Sequence, residues 1–339
     1  MAKDSEALER RSAEQPGQEF GERPITITRQ QFLKVGAGAA AIGLMSGTGL
    51  AQINRLPPGT PVSTGKKLRA MLARPGQPVF VAHAIDALSA QMMQAAGYEA
   101  SFIGTSGVQS RWTNLADRGL TTVMEAMRIC LYFTEAVPTY PLIVDGDAGH
   151  GGPDMVKRLI HECIKVGLAG IRIDDQMIET KRTTGNSGIM VATRENAVAR
   201  YKAACEARDE LEPEFVVQAQ MYTREAENGG LDEALARIPL YEAAGCDWIH
   251  FTRAQSVDEM KKGRAVAKKF FGGMNGAWAK GFTTVKHYGD IGLNSIWGQG
   301  PGRESDEALE KALAEFKKRG PEFVTESLGA IPRTTTRSS

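Results

Sequence analysis

Apolar and polar positions follow two alternating periods along the chain from about residue 66 onward. Short apolar runs predict strands, and each is followed by a longer amphipathic segment that predicts a helix and often ends at a glycine. The predicted strands cover residues 79–82, 100–104, 142–144, 170–173, 215–219, 248–251, 270–274 and 294–297. The predicted helices cover residues 84–96, 122–136, 154–166, 193–210, 231–244, 257–268, 284–288 and 304–319.

Strands that alternate regularly with helices indicate a parallel sheet. Eight such units in about 255 residues match the size of a (β/α)8 TIM-type barrel, here with an additional C-terminal helix. The alternative is a doubly wound open sheet, which normally carries a glycine-rich phosphate-binding turn after its first strand. The turn Val81-Ala82-His83-Ala84 contains no glycine, so the pattern favours the barrel.

The residues before the barrel have the pattern of an export leader. They contain Thr28-Arg29-Gln30-Gln31-Phe32-Leu33-Lys34 and then a weakly apolar run that ends in Gly49-Leu50-Ala51. This resembles a twin-arginine signal in which Gln30 replaces the second arginine, and it predicts export to the periplasm, with a cytoplasmic location as the alternative. We expect a leader over residues 1–51, a linker over 52–65, the catalytic barrel over 66–325 and a disordered tail over 326–339.

Composition argues against several classes of protein. The 339 residues include 41 Lys and Arg against 40 Asp and Glu, and this balance argues against a nucleic-acid partner. The apolar run in the leader is too short and too weakly apolar to predict a stable membrane span. The four cysteines stand singly, without a C-x-x-C pair, and so predict neither a zinc ribbon nor a disulfide framework.

Acidic residues collect at the predicted carboxyl ends of the strands, where barrels bind their ligands. Asp145 and Asp147 follow strand three, Asp174 ends strand four, and Asp117 lies in the long loop after strand two. Carboxylates at close range repel each other unless a cation binds. Oxygen donors without thiolates or a histidine cluster favour Mg2+, with Mn2+ as the alternative. Asp86 is better explained as a helix cap, because a helical segment starts directly after it.

Five motifs carry a resemblance to a known family. They are Asp86-Ala87-Leu88-Ser89-Ala90, Ser106-Gly107, Asp145-Gly146-Asp147-Ala148-Gly149-His150-Gly151, Gly170-Ile171-Arg172-Ile173-Asp174-Asp175-Gln176 and Gly230-Leu231-Asp232-Glu233-Ala234. In this order, from about residue 70 to residue 320, the chain resembles the isocitrate lyase/phosphoenolpyruvate mutase superfamily. The resemblance implies a (β/α)8 barrel, a Mg2+ ion, a small 2-oxo or 2-hydroxy carboxylic acid as substrate, and a homodimer or homotetramer. Members of that superfamily break or form C–C or C–P bonds through an enolate.

The resemblance also implies roles for individual residues near the metal. It makes Asp145 the metal ligand, while Asp147 and Asp174 hold metal-bound waters. It places the substrate carboxylate on the Ser106 side chain and the Gly107 backbone.

A second set of residues is expected to contact the reacting part of the substrate. By position, Asp117 is the acid near the reacting centre, and His150 stands where a tyrosine is commonest. Lys181 and Arg182 lie on the loop after strand four, where a mobile lid would pin the departing carboxylate. Asn275, at the end of strand seven, is a further expected substrate-binding residue.

Two departures from the family pattern bear on the reaction. The cleaving lyases carry a cysteine in the loop after strand four, whereas residues 179–188 here contain none. The threonines of this loop cannot replace the cysteine, because the pKa of a threonine hydroxyl is too high for efficient proton exchange near neutral pH. The pair Asn186-Ser187 echoes the loop of the phosphonate-processing branch. The arginine expected after strand five is absent from residues 218–223, and Arg224 is its expected substitute.

Three functional hypotheses follow from these features. The favoured one is a Mg2+-dependent lyase that cleaves a C–C bond of a small dicarboxylate, in the manner of methylisocitrate lyase, dimethylmalate lyase or oxaloacetate decarboxylase. The second is C–P chemistry of the phosphonopyruvate hydrolase or phosphoenolpyruvate mutase type. The third is a catalytically silent protein that binds organic acids, which the missing cysteine and arginine motivate.

Overall fold

Eight parallel strands close into a barrel in this computed structural model, which describes residues 63–274, 276–282, 284–298, 314–315 and 317–318. The strands are β1 (Val79–His83), β2 (Ala100–Ile103), β3 (Leu142–Asp145), β4 (Gly170–Asp174), β5 (Val216–Met221), β6 (Trp248–Phe251), β7 (Phe270–Met274) and β8 (Ser295–Gly298). Each strand pairs with the next one along the chain, and β8 pairs with β1. The predicted TIM-type barrel is therefore confirmed. The leader, the tail and most of the predicted last helix lie outside the described residues.

Helices connect the strands, and each described strand or helix that the sequence predicts has bounds within three residues of the prediction, while the helices Thr64–Leu72 and Ser110–Thr113 are not predicted. None of the helices in the described part of the chain is both long and apolar enough to cross a membrane. The helices are α1 (Thr64–Leu72), α2 (Ala87–Ala96), α3 (Ser110–Thr113), α4 (Val123–Ala136), α5 (Pro153–Lys165), α6 (Arg194–Leu211), α7 (Leu231–Ala243), α8 (Val257–Val266) and α9 (Val285–Asp290).

Side-chain caps account for where several helices begin. Asp86 accepts a hydrogen bond from the Ser89 N–H (2.7 Å), and the Ser89 hydroxyl accepts one from the Asp86 N–H (3.0 Å). Thr122 and Glu125 form the same reciprocal pair at the start of α4. Such boxes satisfy backbone donors that the first turn leaves unpaired. The prediction that Asp86 is a helix cap is thus confirmed.

The sequence pattern does not predict helix α1, which begins inside the expected linker of residues 52–65. Ser63 caps it by accepting a hydrogen bond from the Lys66 N–H (3.1 Å). Its three large apolar side chains, Leu68, Met71 and Leu72, span little more than one turn, which is too short to establish a helical period against a polar background. Leu68 and Leu72 are fully buried against the first residues of several strands, so α1 closes the amino-terminal end of the barrel. Residues 63–65 of the expected linker thus belong to this helix and its cap, while residues 52–62 lie outside the described part.

The barrel interior has an apolar lower layer and a polar upper layer. The lower layer contains Val79, Val81, Ala100, Phe102, Ile143, Val216, Trp248 and Trp297, which form one buried apolar cluster with Leu68 and Leu72 of α1. Because side chains alternate across a strand, the register then places Asp145 beside Arg172, and Asp174 beside Gln220, in the upper layer. The polar layer lies toward the carboxyl ends of the strands, where the acidic residues were expected.

Replacing the buried plug of α1 tests its structural role. We expect Leu68→Ala to lower the free energy of unfolding by about 2–5 kcal/mol, since it leaves a cavity at the closed end of the barrel. Urea denaturation followed by circular dichroism measures the change. Lys66→Ala, on the exposed side of the same helix, is the control and should change stability by less than about 0.5 kcal/mol. Equal effects of the two substitutions would contradict the burial argument.

Candidate active site

Four carboxylates meet at the carboxyl ends of β3 and β4, and we call Asp117, Asp145, Asp147 and Asp174 the acid cluster. Asp145 anchors it by accepting hydrogen bonds from the Asp147 N–H (3.2 Å) and the Thr105 N–H (3.4 Å). The Thr105 hydroxyl donates to Asp147 Oδ1 (3.0 Å). These bonds hold the turn after β3 against the turn after β2, so two neighbouring strand ends build one site.

Lys181 lies inside the acid cluster rather than on its surface. Its ammonium is 2.5 Å from Asp147 Oδ1, it contacts Asp117 Oδ1, and its side chain is only 4% exposed. Burial alone would lower the pKa of Lys181, but the surrounding carboxylates, Asp147 foremost, raise it above its ordinary value. Lys181 is therefore a buried cation that joins Asp117, from the loop after β2, to Asp147, from the loop after β3.

The acids differ in protonation because their surroundings differ. Burial would raise the pKa of Asp145, but the charges of Arg172 and Lys181 outweigh it and hold the pKa below its ordinary value. Burial raises the pKa of Asp147 to about 6, with Lys181 opposing the shift. Burial and then the charge of Asp145 raise the pKa of Asp174 well above its ordinary value. Asp145 is therefore the strongest acid of the three, and a further cation nearby would lower the pKa of Asp147 and of Asp174.

The acid cluster fits a hydrated magnesium ion. Asp147 Oδ2 and Asp174 Oδ1 are buried and have no hydrogen-bond partner in the described ranges, and hard divalent cations prefer carboxylate oxygens. Among the described residues, no three His, Cys, Asp or Glu side chains are placed to hold an ion by themselves. Mg2+ commonly keeps several waters and binds through one or two carboxylates. That mode suits one ionised carboxylate, Asp145, with Asp147 and Asp174 around it.

Arg172 is a site residue that the motif analysis passed over. It stands between two isoleucines of β4, and its guanidinium is 4% exposed inside the barrel. Nη2 lies 3.3 Å from Asp145 Oδ2, and the guanidinium carbon lies 3.9 Å from the centre of the Phe102 ring. The available signal was an arginine two residues before Asp174 in an otherwise buried strand, because residues i and i+2 face the same side.

The loop after β4 is fastened to the acid cluster. The Gln176 side-chain oxygen accepts a hydrogen bond from the Arg182 N–H, and its amide nitrogen donates to the Arg182 carbonyl, each at 2.9 Å. The Thr183 hydroxyl donates to Asp117 Oδ2 (2.9 Å). Arg182 itself turns back, and its Nη1 donates to the carbonyl of Lys181 (2.9 Å). The structure thus brings Lys181 to the acids, while the Arg182 side chain bonds the loop backbone.

A second set of contacts holds the far half of this loop. Glu225 accepts hydrogen bonds from the Thr184 hydroxyl (2.7 Å) and from the Gly185 N–H (2.8 Å). Glu227 accepts one from the Gly188 N–H (2.8 Å). Both glutamates follow β5, so the loop lies closed between the ends of β4 and β5.

Three further predicted site residues are Ser106, Gly107 and His150. Ser106 and Gly107 lie on a single π-helical turn, Thr105–Gln109, directly after β2 and next to the acid cluster through Thr105. His150 is half-buried, and its Nε2 has no hydrogen-bond partner among the described residues. Burial lowers the pKa of His150, while the charge of Asp145 opposes that shift. Its backbone is left-handed, with φ 57°, and such outliers concentrate at functional sites.

Arg224 is not brought to the acid cluster. Its guanidinium forms a two-pronged ion pair with Glu259 on α8, at 2.8 and 2.9 Å. The geometry therefore gives no support to the expectation that Arg224 replaces the arginine missing after strand five. Asn275 lies outside the described residues, so its expected role stays a prediction.

Comparison with known proteins adds the family context. A family model described as phosphoenolpyruvate phosphomutase matches residues 68–317. The petal death protein of Dianthus caryophyllus is 33% identical over 211 residues, which are 62% of this chain and 64% of that protein. The 2-methylisocitrate lyase of Escherichia coli (strain K12) is 32% identical over 188 residues, which are 55% of this chain and 61% of that protein. The chain thus spans slightly less than two thirds of the length of these two relatives.

Solved structures share the fold. The structure of oxaloacetate acetylhydrolase in complex with the inhibitor 3,3-difluorooxalacetate superimposes with a TM-score of 0.66 and 24% sequence identity. The match covers 77% of this chain and 88% of that chain. At this level of identity the likeness establishes the common barrel architecture.

Removing the buried cation tests the charge balance of the acid cluster. We expect Lys181→Met to lower the free energy of unfolding by about 3–5 kcal/mol at pH 8, because it leaves buried carboxylates without their partner. At pH 5 the loss should be smaller. The raised pKa values of Asp147 and Asp174 mean that the folded state binds more protons than the unfolded chain, so stability declines as pH rises through about 6. The variant, without its ammonium, should decline more steeply.

Urea unfolding at both pH values, in the presence of a chelator, measures this difference. Lys157→Met is the control, because Lys157 is 44% exposed and pairs on the surface with Glu206 (2.9 Å). Its effect should be below about 1 kcal/mol at either pH. A loss for Lys181→Met that is the same at pH 5 and pH 8 would show that the buried acids do not depend on this cation.

Proposed function

The chain belongs to the phosphoenolpyruvate phosphomutase family, and we propose that it is a lyase that cleaves a C–C bond of a small 2-oxo or 2-hydroxy dicarboxylate with Mg2+ as cofactor. The observation that carries the proposal is the acid cluster, with ionised Asp145 beside two unpaired carboxylate oxygens of Asp147 and Asp174. Relatives named 2-methylisocitrate lyase and oxaloacetate acetylhydrolase support the same class of reaction and substrate.

Asp145 would hold the metal, with Asp147 and Asp174 around it, and Mn2+ is the expected substitute ion. When bound, the ion supplies Lewis-acid polarisation of a substrate oxygen. The Ser106 hydroxyl and the Gly107 N–H would bind the substrate carboxylate, since preorganised donors stabilise charge in a protected site. These five residues all come from the ends of β2, β3 and β4.

Proton transfer falls to the pair of Asp117 and Lys181, which are in direct contact. For a 2-hydroxy acid, Asp117 takes the hydroxyl proton as the C–C bond breaks, and the electron pair leaves with the departing fragment as an enolate. The Lys181 ammonium is the donor placed to return a proton to that fragment. For a 2-oxo acid, loss of carbon dioxide leaves the same kind of enolate, and water suffices as the acid. Decarboxylation therefore needs no acid from this loop, which has no cysteine, whereas the reverse aldol reaction depends on Lys181 as the proton donor.

Chemistry at a C–P bond is the second candidate, and the loop geometry argues against it. The pair Asn186-Ser187, which motivates that hypothesis, is exposed, whereas Lys181 of the same loop is buried in the acid cluster. A catalytically silent organic-acid-binding protein is the third candidate. Export through the leader and assembly into dimers or tetramers stay predictions; sedimentation of the purified chain would measure the assembly, and a periplasmic fractionation the location.

The proposed reaction predicts turnover that depends on both the metal and Asp145. We would offer the full chain oxaloacetate, 2-methylisocitrate and phosphonopyruvate with Mg2+, and measure the released 2-oxo acid and phosphate. We expect 2-oxo acid release that a chelator abolishes and that Asp145→Asn lowers by at least about 100-fold, because the substitution removes the ionised ligand. Asp154→Asn, an exposed acid in the first turn of α5, is the matched control and should retain full activity.

The alternatives give different results in the same assay. Phosphate release from phosphonopyruvate alone would identify C–P chemistry. Binding of the organic acids without turnover would identify a silent binding protein. Full activity of Asp145→Asn in the presence of chelator would contradict the proposed role of the acid cluster.

A further inference from the structure

Arg172, which contacts Asp145 of the acid cluster, has further hydrogen-bond donors available on its guanidinium. Arg172 makes a single polar contact to the acids, from Nη2 to Asp145 at 3.3 Å. Its Nε and Nη1 are buried and have no hydrogen-bond partner among the residues that the structure describes. A guanidinium offers five N–H groups in a rigid fork that matches a carboxylate. A buried donor left unpaired costs free energy, so this arrangement is one that a bound anion would complete.

Aromatic rings fix the plane of that guanidinium. Its central carbon lies 3.9 Å from the centre of the Phe102 ring and 4.9 Å from that of Trp297. Both rings are fully buried in the apolar layer of the barrel. Stacking on rigid rings leaves the edge of the guanidinium as the part that offers hydrogen bonds. The two rings thus hold the Arg172 guanidinium in place independently of its contact with Asp145, as expected of an arginine that binds a ligand.

Neighbouring side chains on the next two strands also have free polar atoms. Gln218 is the register partner of Arg172, and Gln220 that of Asp174. Within the described part of the chain, both glutamine amides and both ring nitrogens of His250 are buried without a hydrogen-bond partner, as is Trp297 Nε1. The His250 ring packs edge-on against Trp297, with the ring centres 5.1 Å apart. The polar layer therefore places both hydrogen-bond donors and acceptors around Arg172, and β5 and β6 contribute no carboxylate to it.

We propose that Arg172 binds the second carboxylate of the substrate, the one that Ser106 and Gly107 do not hold, and so selects dicarboxylates over monocarboxylates. This inference rests on the proposed function and adds a specificity-determining residue to it. The substrate would extend from the acid cluster into the barrel, with one end at the turn after β2 and the other at β4. Gln220, unpaired on the adjacent strand, would assist from the side of β5.

A structural role for Arg172 makes a different prediction, which allows the two to be separated. If Arg172 served only as a counter-ion for Asp145, any cation of similar length would replace it. Arg172→Lys keeps the positive charge but loses the planar fork and its stacking. Arg172→Lys should therefore weaken the binding of the substrate carboxylate while it preserves the charge balance of Asp145.

The experiment compares two ligands that differ only at one end. Racemic malate carries a second carboxylate where racemic 2-hydroxybutyrate carries a methyl group. Calorimetric titration of the full chain with Mg2+ present measures both affinities in the wild type, Arg172→Lys and Arg172→Gln. We expect the wild type to prefer malate, and both variants to lose about 10- to 100-fold in malate affinity, the effect of one hydrogen-bonded charge. The affinity for 2-hydroxybutyrate should stay unchanged in Arg172→Lys.

Two controls separate recognition from folding. Arg237→Lys changes an equally buried arginine, which bonds Glu233 and Tyr241 away from the site, and it should leave the malate preference intact. In Arg172→Gln, the added substitution Gln220→Arg moves the guanidinium to the adjacent strand and should restore part of the preference. Thermal unfolding and Mn2+ binding of each variant report whether the fold and the metal site persist.

Several outcomes would overturn the inference. One is a wild type that binds malate and 2-hydroxybutyrate equally, or binds neither of them. Another is an Arg172→Lys variant that retains the wild-type preference, which would leave Arg172 as a counter-ion. A malate preference that depends on Arg172, in a protein without turnover on any substrate, would uphold the inference while the proposed lyase function fails. The two proposals therefore stand or fall separately.

Discussion

Charge compensation in a buried space is the constraint on which the rest of this site depends. The acid cluster places four carboxylates within reach of two buried cations, Lys181 and Arg172. Two negative charges would remain unbalanced if every acid ionised. Two of the acids, Asp147 and Asp174, have raised pKa values, so protons can fill the deficit. A divalent cation would fill the same deficit, which is why the protonation pattern and the proposed metal site have one origin.

The fold makes this compensation necessary by keeping water away from the acids. Helix α1 closes the amino-terminal end of the barrel, and large aromatic side chains fill the layer above it. In such a medium an unpaired charge is far more costly than at a surface. The packing of the apolar lower layer therefore supports the charge interactions of the polar upper layer, because it keeps water away from the buried acids.

Sequence reasoning predicted the barrel and the family, and both are confirmed, because each depends on patterns repeated along the whole chain. It also grouped the strand-end acids, since the carboxyl ends of parallel strands share one face. It missed α1, whose apolar positions span too short a stretch for a period, and it overlooked Arg172, which reads locally as part of a strand. The direction of the Arg224 side chain could not be predicted from spacing alone. Its position after β5 suggests the site, but its guanidinium pairs with Glu259, 35 residues further along the chain.

The loop after β4 acquires a different meaning once the charges are considered. The cysteine that is expected there in a cleaving lyase would exchange a proton, whereas this loop contributes Lys181, one of the two cations that the acids require. Opening the loop would withdraw that charge and leave Arg172 alone against four carboxylates. Loop closure and ionisation of the acids therefore stabilise each other, since each provides the partner that the other lacks. On this argument the missing cysteine does not make the loop idle, because its position in the site is secured by charge.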